Sequence, residues 1–499
     1  MNSKVSTDKL LKNWNPLARS SNADLLDNLQ GLFSRSRDLE KSNGIAVSII
    51  DTIVDKTIGN GLKLTPQVDF KALGWNPEQA KDWNEKVENL WALFANSKLF
   101  DVAQKSNFNA MARLALRTTL MNGEVLALPY WNKSPGAMFN TQLKLVECDR
   151  LVTPKSQENN SKVHAGIKVD NNGVPVNYYI AKNYPDDDTF QNELQIQEIK
   201  AQTDFGRKQV IHIFKQDRVD QARGKPVFSP VLAQFKKLDM YEEAELSAAV
   251  VSALIALIIE SPQMDDDELI KFFGIEATPE RLPDLRTAWD RGLQDGSVLQ
   301  LFPGEKAQGF TPNRPNTAFS AFIETNLKQI CVAQGLPYEM VMKDFSKCNY
   351  SSARAAMQEG WEKILSTREW FVQEFVKEIY SLFLEEIANK NMIKAPDFYL
   401  YKEAYLKFSV HGPTRGILDP VKEANAASIR MTQGISSLQD ECSAMGKDWE
   451  DVLLQKAKEE KLAKELGLVL GNDVQNKVDD DRNDEDDNKK EKDDDDEKI

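Results

Sequence analysis

At 499 residues, with 41% hydrophobic and 28% charged side chains, the chain is long enough to bury a large core and to form about two to four domains. A formal net charge of -14 excludes a surface that clamps nucleic acid throughout by neutralising phosphates, and leaves room only for local basic rings. The charge is uneven: Lys477 to Ile499 holds 13 acidic and 6 basic residues, a net of -7, so the remaining body is only mildly acidic. Cys148, Cys331, Cys348 and Cys442 form no Cys-x-x-Cys pair, which reads as reduced thiols. His164, His212 and His411 are equally dispersed, which argues against a metal site. No Gly-x-x-x-x-Gly-Lys-Ser/Thr loop is present, so the chain is not itself a P-loop ATPase. The opening Met-Asn-Ser-Lys-Val-Ser has no apolar leader. The strongest apolar run, Ala248 to Ile259, is too short to span a bilayer and reads as buried helix.

Residues 1 to 30 are polar and predict an arm. The spacing of Leu39, Ile45, Ala46, Ile49, Ile50 and Ile53 predicts a helix over Ser34 to Val54, ended by Gly59-Asn60-Gly61. A strand over Leu62 to Thr65 and helices over Pro77 to Leu99 and Phe108 to Asn122 follow. Trp75, Trp83 and Trp91 recur at eight-residue steps on a helical segment, which points to a core or a subunit interface rather than base stacking, which would need basic interleaving. From Glu124 the period changes to two. Strands are predicted over Glu124 to Tyr130, Gln142 to Glu147, Ala165 to Lys168, Val176 to Ala181 and Gln209 to Phe214, with Asp170-Asn-Asn-Gly173 as a hairpin turn. His212 alternates with Val210 and Phe214 and reads as packed or hydrogen-bonded rather than catalytic.

Ser229-Pro230 opens a long amphipathic helix to about Ile259. An acidic helix start at Asp265 to Glu268, a short helix near Arg281 to Gly292 and a strand at Ser297 to Phe302 predict a small α/β insertion. Asn316 to Gln334 returns to helix. Leu336 to Asn391 is the most informative stretch: a Pro-containing turn, the polar loop Lys343-Asp-Phe-Ser-Lys-Cys-Asn-Tyr-Ser-Ser-Ala-Arg354, then a sustained helical pattern. Asn349, Ser351 and Ser352 can each cap its start. Trp361, Ile364, Leu365, Trp370, Phe371, Phe375, Ile379, Leu382 and Phe383 recur at three- and four-residue steps and mark its buried face. Such a helix is longer than one small core needs. Thr414 to Gly471 predicts short helices joined at Gly434 and Gly446, and the last two dozen residues lack the apolar surface to fold.

Several blocks carry a family resemblance. Arg35-Ser-Arg-Asp-Leu-Glu-Lys-Ser-Asn-Gly44 with Ile50-Asp-Thr-Ile53, Val210-Ile-His-Ile-Phe214, Gln221-Ala-Arg-Gly-Lys-Pro226, Ser229-Pro230, Gly335-Leu-Pro-Tyr-Glu339 and, most specifically, Asn349-Tyr-Ser-Ser-Ala-Arg354 resemble the lambda-type portal proteins of tailed bacteriophages over roughly residues 30 to 470. The resemblance implies an α+β, mainly helical portal fold assembling as a ring, commonly of twelve copies, at one vertex of a capsid. It implies an arm over 1–30, a wing over 31–229, a stem helix over 230–260, a clip over 261–312 and a second stem helix over 313–335. A tunnel-loop region over 336–351, a long helix and wing return over 352–413, a crown over 414–471 and an acidic tail over 472–499 complete the expectation.

The same resemblance implies double-stranded DNA passing through the channel during packaging and ejection. The implied partners are the terminase large subunit, the major capsid protein, a head-tail adaptor and, as a further candidate, a scaffold protein, with no membrane and no cofactor. The location implied is the virion, with host cytoplasm during assembly. A channel that moves DNA must not hold it, so few basic contacts are expected. Lys343, Ser346, Lys347 and Asn349 are the candidate DNA-facing positions; both lysines read equally well as solvating a loop. Asp344, Tyr350, Ser351, Ser352 and Arg354 are candidate stabilisers or subunit contacts. Arg354 calls for a carboxylate, from a neighbouring subunit or from Asp344. No catalytic residue is assigned. The competing readings are a metal-dependent nucleic-acid enzyme using carboxylates such as Asp265 to Glu268, and the portal of a gene-transfer particle.

Overall fold

Helices begin in this protein where a capping side chain meets an apolar period. Asn76 accepts from the Gln79 N–H and Gln79 answers to the Asn76 N–H, so α4 (Pro77–Asn96) starts with a capping box and Pro77 in its first turn. Asn107 caps α5 (Phe108–Asn122), and Asn43 caps α3 (Gly44–Thr57). The computed structural model describes residues 16–185, 187, 195–254, 257–260, 306–309, 319–416 and 419–468, with only the backbone of 251–254, 257–260 and 306–309. Its chain forms two units, Met1–Ser229 with Gly335–Ile499, and Pro230–Gln334.

Among the described residues the first unit holds three sheets. β1 (Lys63–Pro66) pairs antiparallel with β11 (Phe408–His411). β2 (Glu124–Trp131) lies between β3 (Thr141–Glu147) and β8 (Ile211–Phe214). β4 (Val163–His164), β5 (Ile167–Val169), β6 (Pro175–Ala181) and β7 (Ile196–Lys200) form a meander whose turn is closed by the Asp170 carboxylate accepting from Asn172 and Val174. Leu126, Leu128 and Val146 pack with Ile167, Tyr178 and Ile180 to join the last two sheets. β7 and β11 carry no period long enough to betray them, and sequence reading passes over both.

A second core is aromatic. Trp91 of α4 contacts Phe94, Phe108, Tyr380 and Phe383 with ring centroids 5.1–5.6 Å apart, and Phe94 extends the cluster to Phe100 and Phe139. Trp83 meets Trp75 and Tyr405. Trp83 and Trp91 thus face inward from α4, and Trp75, just before the helix, packs edge-on against Trp83.

Three boundaries differ from expectation. The predicted helix over Ser34 to Val54 is two, α2 (Leu29–Ser42) and α3, because the Asn43 side-chain Oδ1 accepts from the N–H groups of Ile45 and Ala46 and interrupts the ladder. Residues 16–30 are not wholly an arm: α1 (Ser21–Leu25) is followed by Leu29 in the core, and Ser21 and Asn22 bond the backbone of Val219, Asp220 and Ala222.

In the second unit α6 (Leu232–Leu254) ends earlier than the predicted Ile259, and Leu257–Glu260 is strand β9, paired with β10 (Lys306–Gly309). An Ile-rich apolar run satisfies strand and helix equally until a pairing partner decides. Tyr241 of α6 packs on Phe319 and Phe322 of α7 (Phe319–Ala333). Asp265 to Glu268, Arg281 to Gly292, Ser297 to Phe302 and the acidic tail lie outside the described residues.

Trp91→Ala would empty the ring cluster and lower unfolding free energy by about 3–5 kcal/mol, read from the denaturant midpoint.

Candidate functional site

The polar loop starts at the end of α8 (Tyr338–Met342), where Lys343 takes a left-handed conformation (φ 57°) and turns the chain out. The Asp344 carboxylate accepts from the Ser346 N–H at 3.0 Å, and Ser346 holds its pKa below the usual range. Cys348 donates to Glu339 at 3.3 Å, so the thiol bridges the two ends of the turn. Lys343, Phe345, Ser346, Lys347 and Asn349 are exposed, an assembly of short polar contacts with little buried surface.

Asn349 then caps α9 (Tyr350–Phe371): its side chain accepts from the Ser352 N–H at 2.8 Å, and the Ser352 hydroxyl returns to the Asn349 carbonyl at 3.0 Å. Ser351 is exposed beside them. Tyr350 and Arg354, one turn apart, are exposed and lie within electrostatic reach of Lys422 on α12 (Pro420–Thr432). No Asp344–Arg354 ion pair forms; Asp344 is engaged by Ser346 with Lys347 nearby. The loop residues are therefore brought to one exposed turn, and Arg354 stands apart from it, facing another cation.

What holds this turn is a set of residues that sequence reading did not single out. Gly360 lets α8 lie against α9: a Cβ there would sit 2.6 Å from Met340 and 2.7 Å from Pro337. Ser48 of α3 donates to the Val341 carbonyl at 2.8 Å. Arg368 donates to the carbonyls of Thr57 (2.9 Å), Lys56 (2.8 Å) and Pro413 (2.6 Å). Burial pushes its pKa down, and its compensation comes from the negative end of α3. Beyond Arg368 the helix widens into a π-turn (Val372–Val376), with Lys377 N–H donating to the Val372 carbonyl, before continuing as α10 (Lys377–Asn389). Glu386 of α10 accepts from the N–H groups of Asn140 and Thr141 at 2.6 and 2.9 Å and pairs with Lys390. Burial alone would raise its pKa; Lys390 and those N–H groups outweigh it.

A fully buried node fixes the sheets behind this helix. Glu124 and Arg223 have 0% and 1% of their surface exposed. Arg223 Nε donates to Glu124 at 2.6 Å, and its Nη atoms donate to the carbonyls of Cys148, Leu151 and Ala165. The other Glu124 oxygen takes the Gly224 N–H at 2.6 Å and meets His212 Nε2 at 3.0 Å. Burial would raise the Glu124 pKa; Arg223 and His212 outweigh it and hold it down to about 2. The loop can enter only because of two glycines. A Cβ on Gly224 would lie 2.1 Å from the Gly123 carbonyl oxygen, and Gly123 (φ 86°) faces the Lys225 backbone as closely. The Gln221 to Pro226 block thus had a visible signal, an Arg-Gly step in a polar loop, but its buried acid lay a hundred residues away.

Among the described residues no group of three or more His, Cys, Asp or Glu side chains could hold a metal ion, and no helix is long and apolar enough to cross a membrane.

Comparison with known proteins gives the family. The model of the phage portal proteins, lambda family, matches residues 7–368. Portal protein B of Escherichia phage lambda is 26% identical over 468 residues, 90% of this chain and 87% of that protein. The portal protein of Escherichia phage N15 is 26% identical over 476 residues, 92% of this chain and 89% of that protein. A chain from the neck of an empty gene transfer agent particle, computed with C6 symmetry, aligns with a TM-score of 0.44 at 14% identity, covering 83% of this chain and 93% of that one. The chain belongs to the lambda family of phage portal proteins, a structural family.

With its pKa lowered from 4.5 to about 2, Glu124 contributes about 3 kcal/mol that is complete above pH 4.5 and is lost as pH falls through 2. Glu124→Gln should remove this acid dependence and, by leaving Arg223 buried without its carboxylate, lower stability by about 3–5 kcal/mol at neutral pH, measured by denaturant titration across pH.

Proposed function

We propose that the protein is the subunit of a ring, of twelve copies, that forms the channel through which double-stranded DNA enters and leaves a capsid at one vertex. The observation that carries this is the family match over residues 7–368, which includes the polar loop and the start of the long helix. In this reading the loop over 336–351 faces the channel, with Lys343, Ser346, Lys347 and Asn349 touching DNA transiently. The exposure of those four side chains supports it. An N-cap, a short Asx-type contact and Gly360 packing hold the turn's shape without a large buried surface, which suits a constriction that must not bind.

The long helix then acts as a strut from the loop to the wing (31–229 and 352–413), and the helices after residue 414 form the crown. Pro230–Gln334 supplies the stem helices and clip; its separation as a unit of its own supports that assignment. The partners are the terminase large subunit, the major capsid protein, a head-tail adaptor and a scaffold protein, with assembly in host cytoplasm before residence in the virion. The role is mechanical rather than enzymatic, and an infectious phage and a gene-transfer particle would use it alike.

Electron microscopy of the purified chain should show rings of about twelve copies with a DNA-wide hole; a chain monomeric under all assembly conditions would sink the reading. Replacing both Lys343 and Lys347 by Glu should reduce packaged DNA several-fold with rings intact, measured by nuclease-protected DNA per particle. Unchanged packaging would remove the loop from the channel wall.

A further inference from the structure

A cavity of about 180 Å³ opens between the loop after β7, one face of α10 and α11 (Lys402–Tyr405). Lys377, Ser381 and Glu385 recur at four-residue steps along α10, so one helix face supplies three polar residues to its wall. Arg207 comes from the loop, and Lys402 and Glu403 from α11.

The polar groups of this wall are unevenly satisfied. Lys208 pairs with Glu378 at 2.7 Å and Lys377 with Glu403 at 3.3 Å. Arg207 Nε lies 3.8 Å from Glu385 Oε2, an ion pair too long for a hydrogen bond, and its guanidinium sits over the Trp131 ring. Lys402 is half-buried, and among the described residues its ammonium has no ion-pair or hydrogen-bond partner. Ser381 is 8% exposed, and its hydroxyl likewise makes no hydrogen bond among the described residues. The Tyr399 hydroxyl donates to Glu385 Oε1 at 3.4 Å, but Glu385 Oε2 is buried and accepts no hydrogen bond among the described residues. Buried polar atoms normally have partners, so three donors and one acceptor lining a single cavity define the hydrogen-bonding pattern of what it takes.

That pattern is selective. Arg207, Lys402 and Ser381 call for an anion with several acceptor oxygens, whereas Glu385 Oε2 calls for a proton donor on the same molecule. At neutral pH a carboxylate or a sulfate has no proton left to give. Phosphate keeps at least one, and its tetrahedral oxygens suit both the Arg fork and the Lys point charge. Four cations against three carboxylates leave the wall one net positive charge. At ~30 Å³ per water the cavity equals about six waters, room for a small tetrahedral oxyanion and not for a nucleoside. We propose that this cavity binds inorganic phosphate, which accepts from Arg207, Lys402 and Ser381 and donates its remaining proton to Glu385. The site is independent of the ring reading.

Calorimetric titration of the full chain at neutral pH tests this, with inorganic phosphate and sulfate as probes. Phosphate should bind one site per chain about tenfold more tightly than sulfate, the effect of one charge-assisted hydrogen bond. Lys402→Gln and Ser381→Ala should each weaken phosphate binding about fivefold or more. Glu385→Gln should bring the two anions within about threefold, because an amide donates as well as accepts. The proposal is overturned by absent saturable binding of phosphate, by sulfate binding as tightly, or by an affinity that Lys402→Gln and Ser381→Ala leave unmoved. Glycerol phosphate as a third probe separates the free ion from an ester, and tighter binding of the ester overturns inorganic phosphate as the ligand. Should Glu385→Gln fail to fold, the comparison of phosphate with sulfate on the wild-type chain decides alone. Ring formation is read separately by electron microscopy, so failure here leaves the ring reading standing.

Discussion

The buried Glu124–Arg223 pair is the constraint on which the two larger sheets depend. A carboxylate with no exposed surface is tolerated only when paired and fully hydrogen-bonded, and here Arg223, His212 and the Gly224 N–H complete that requirement. The guanidinium directs its remaining donors to carbonyls from two segments, Cys148 and Leu151 just after β3 and Ala165 between β4 and β5. One side chain therefore sets where β2, the end of β3 and the β4–β5 turn meet. The close Gly123–Gly224 contact follows as a steric condition of bringing that charge inside.

Arg368 does comparable work at the other end of the long helix, but without a counter-ion. Three carbonyls, two of them at the C-terminus of α3, accept its donors, so a helix dipole takes the place of a carboxylate. The two nodes have different consequences. The first makes the sheets rigid; the second fixes where the long helix crosses α3, and with Gly360 and Ser48 it positions the polar loop. Downstream of Arg368 the helix is deeply buried, whereas upstream only Gly360 and Ile364 are buried before Phe371. The helix is thus anchored along its downstream half and exposed along much of its upstream half.

Much of the fold was legible because its signals are local. The Asn349 cap, the Asp170 hairpin, the period-two strands from Glu124 and the Trp83 and Trp91 positions of α4 each lie within a few residues of the structure they specify. The candidate loop was legible for the same reason. Its anchors were not: Gly360 is one glycine in a helical pattern, Arg368 one cation among many, and Glu124 the first residue of an ordinary strand. Their roles arise from partners up to 311 or 312 positions away. Helix α6 shows the opposite limit, since the Ile-rich end of its apolar run suited two structures and pairing with Lys306–Gly309 chose between them.

The sequence by itself determined the α+β class, the order of the elements, the capped loop before a long helix and the family, because caps, turns and periodicity act over short range. Only the tertiary structure decided where charge is buried, which glycines permit close approach, and that β11 pairs with β1. Those outcomes depend on desolvation, steric exclusion and backbone pairing between segments far apart in the chain, and none of these leaves a local pattern.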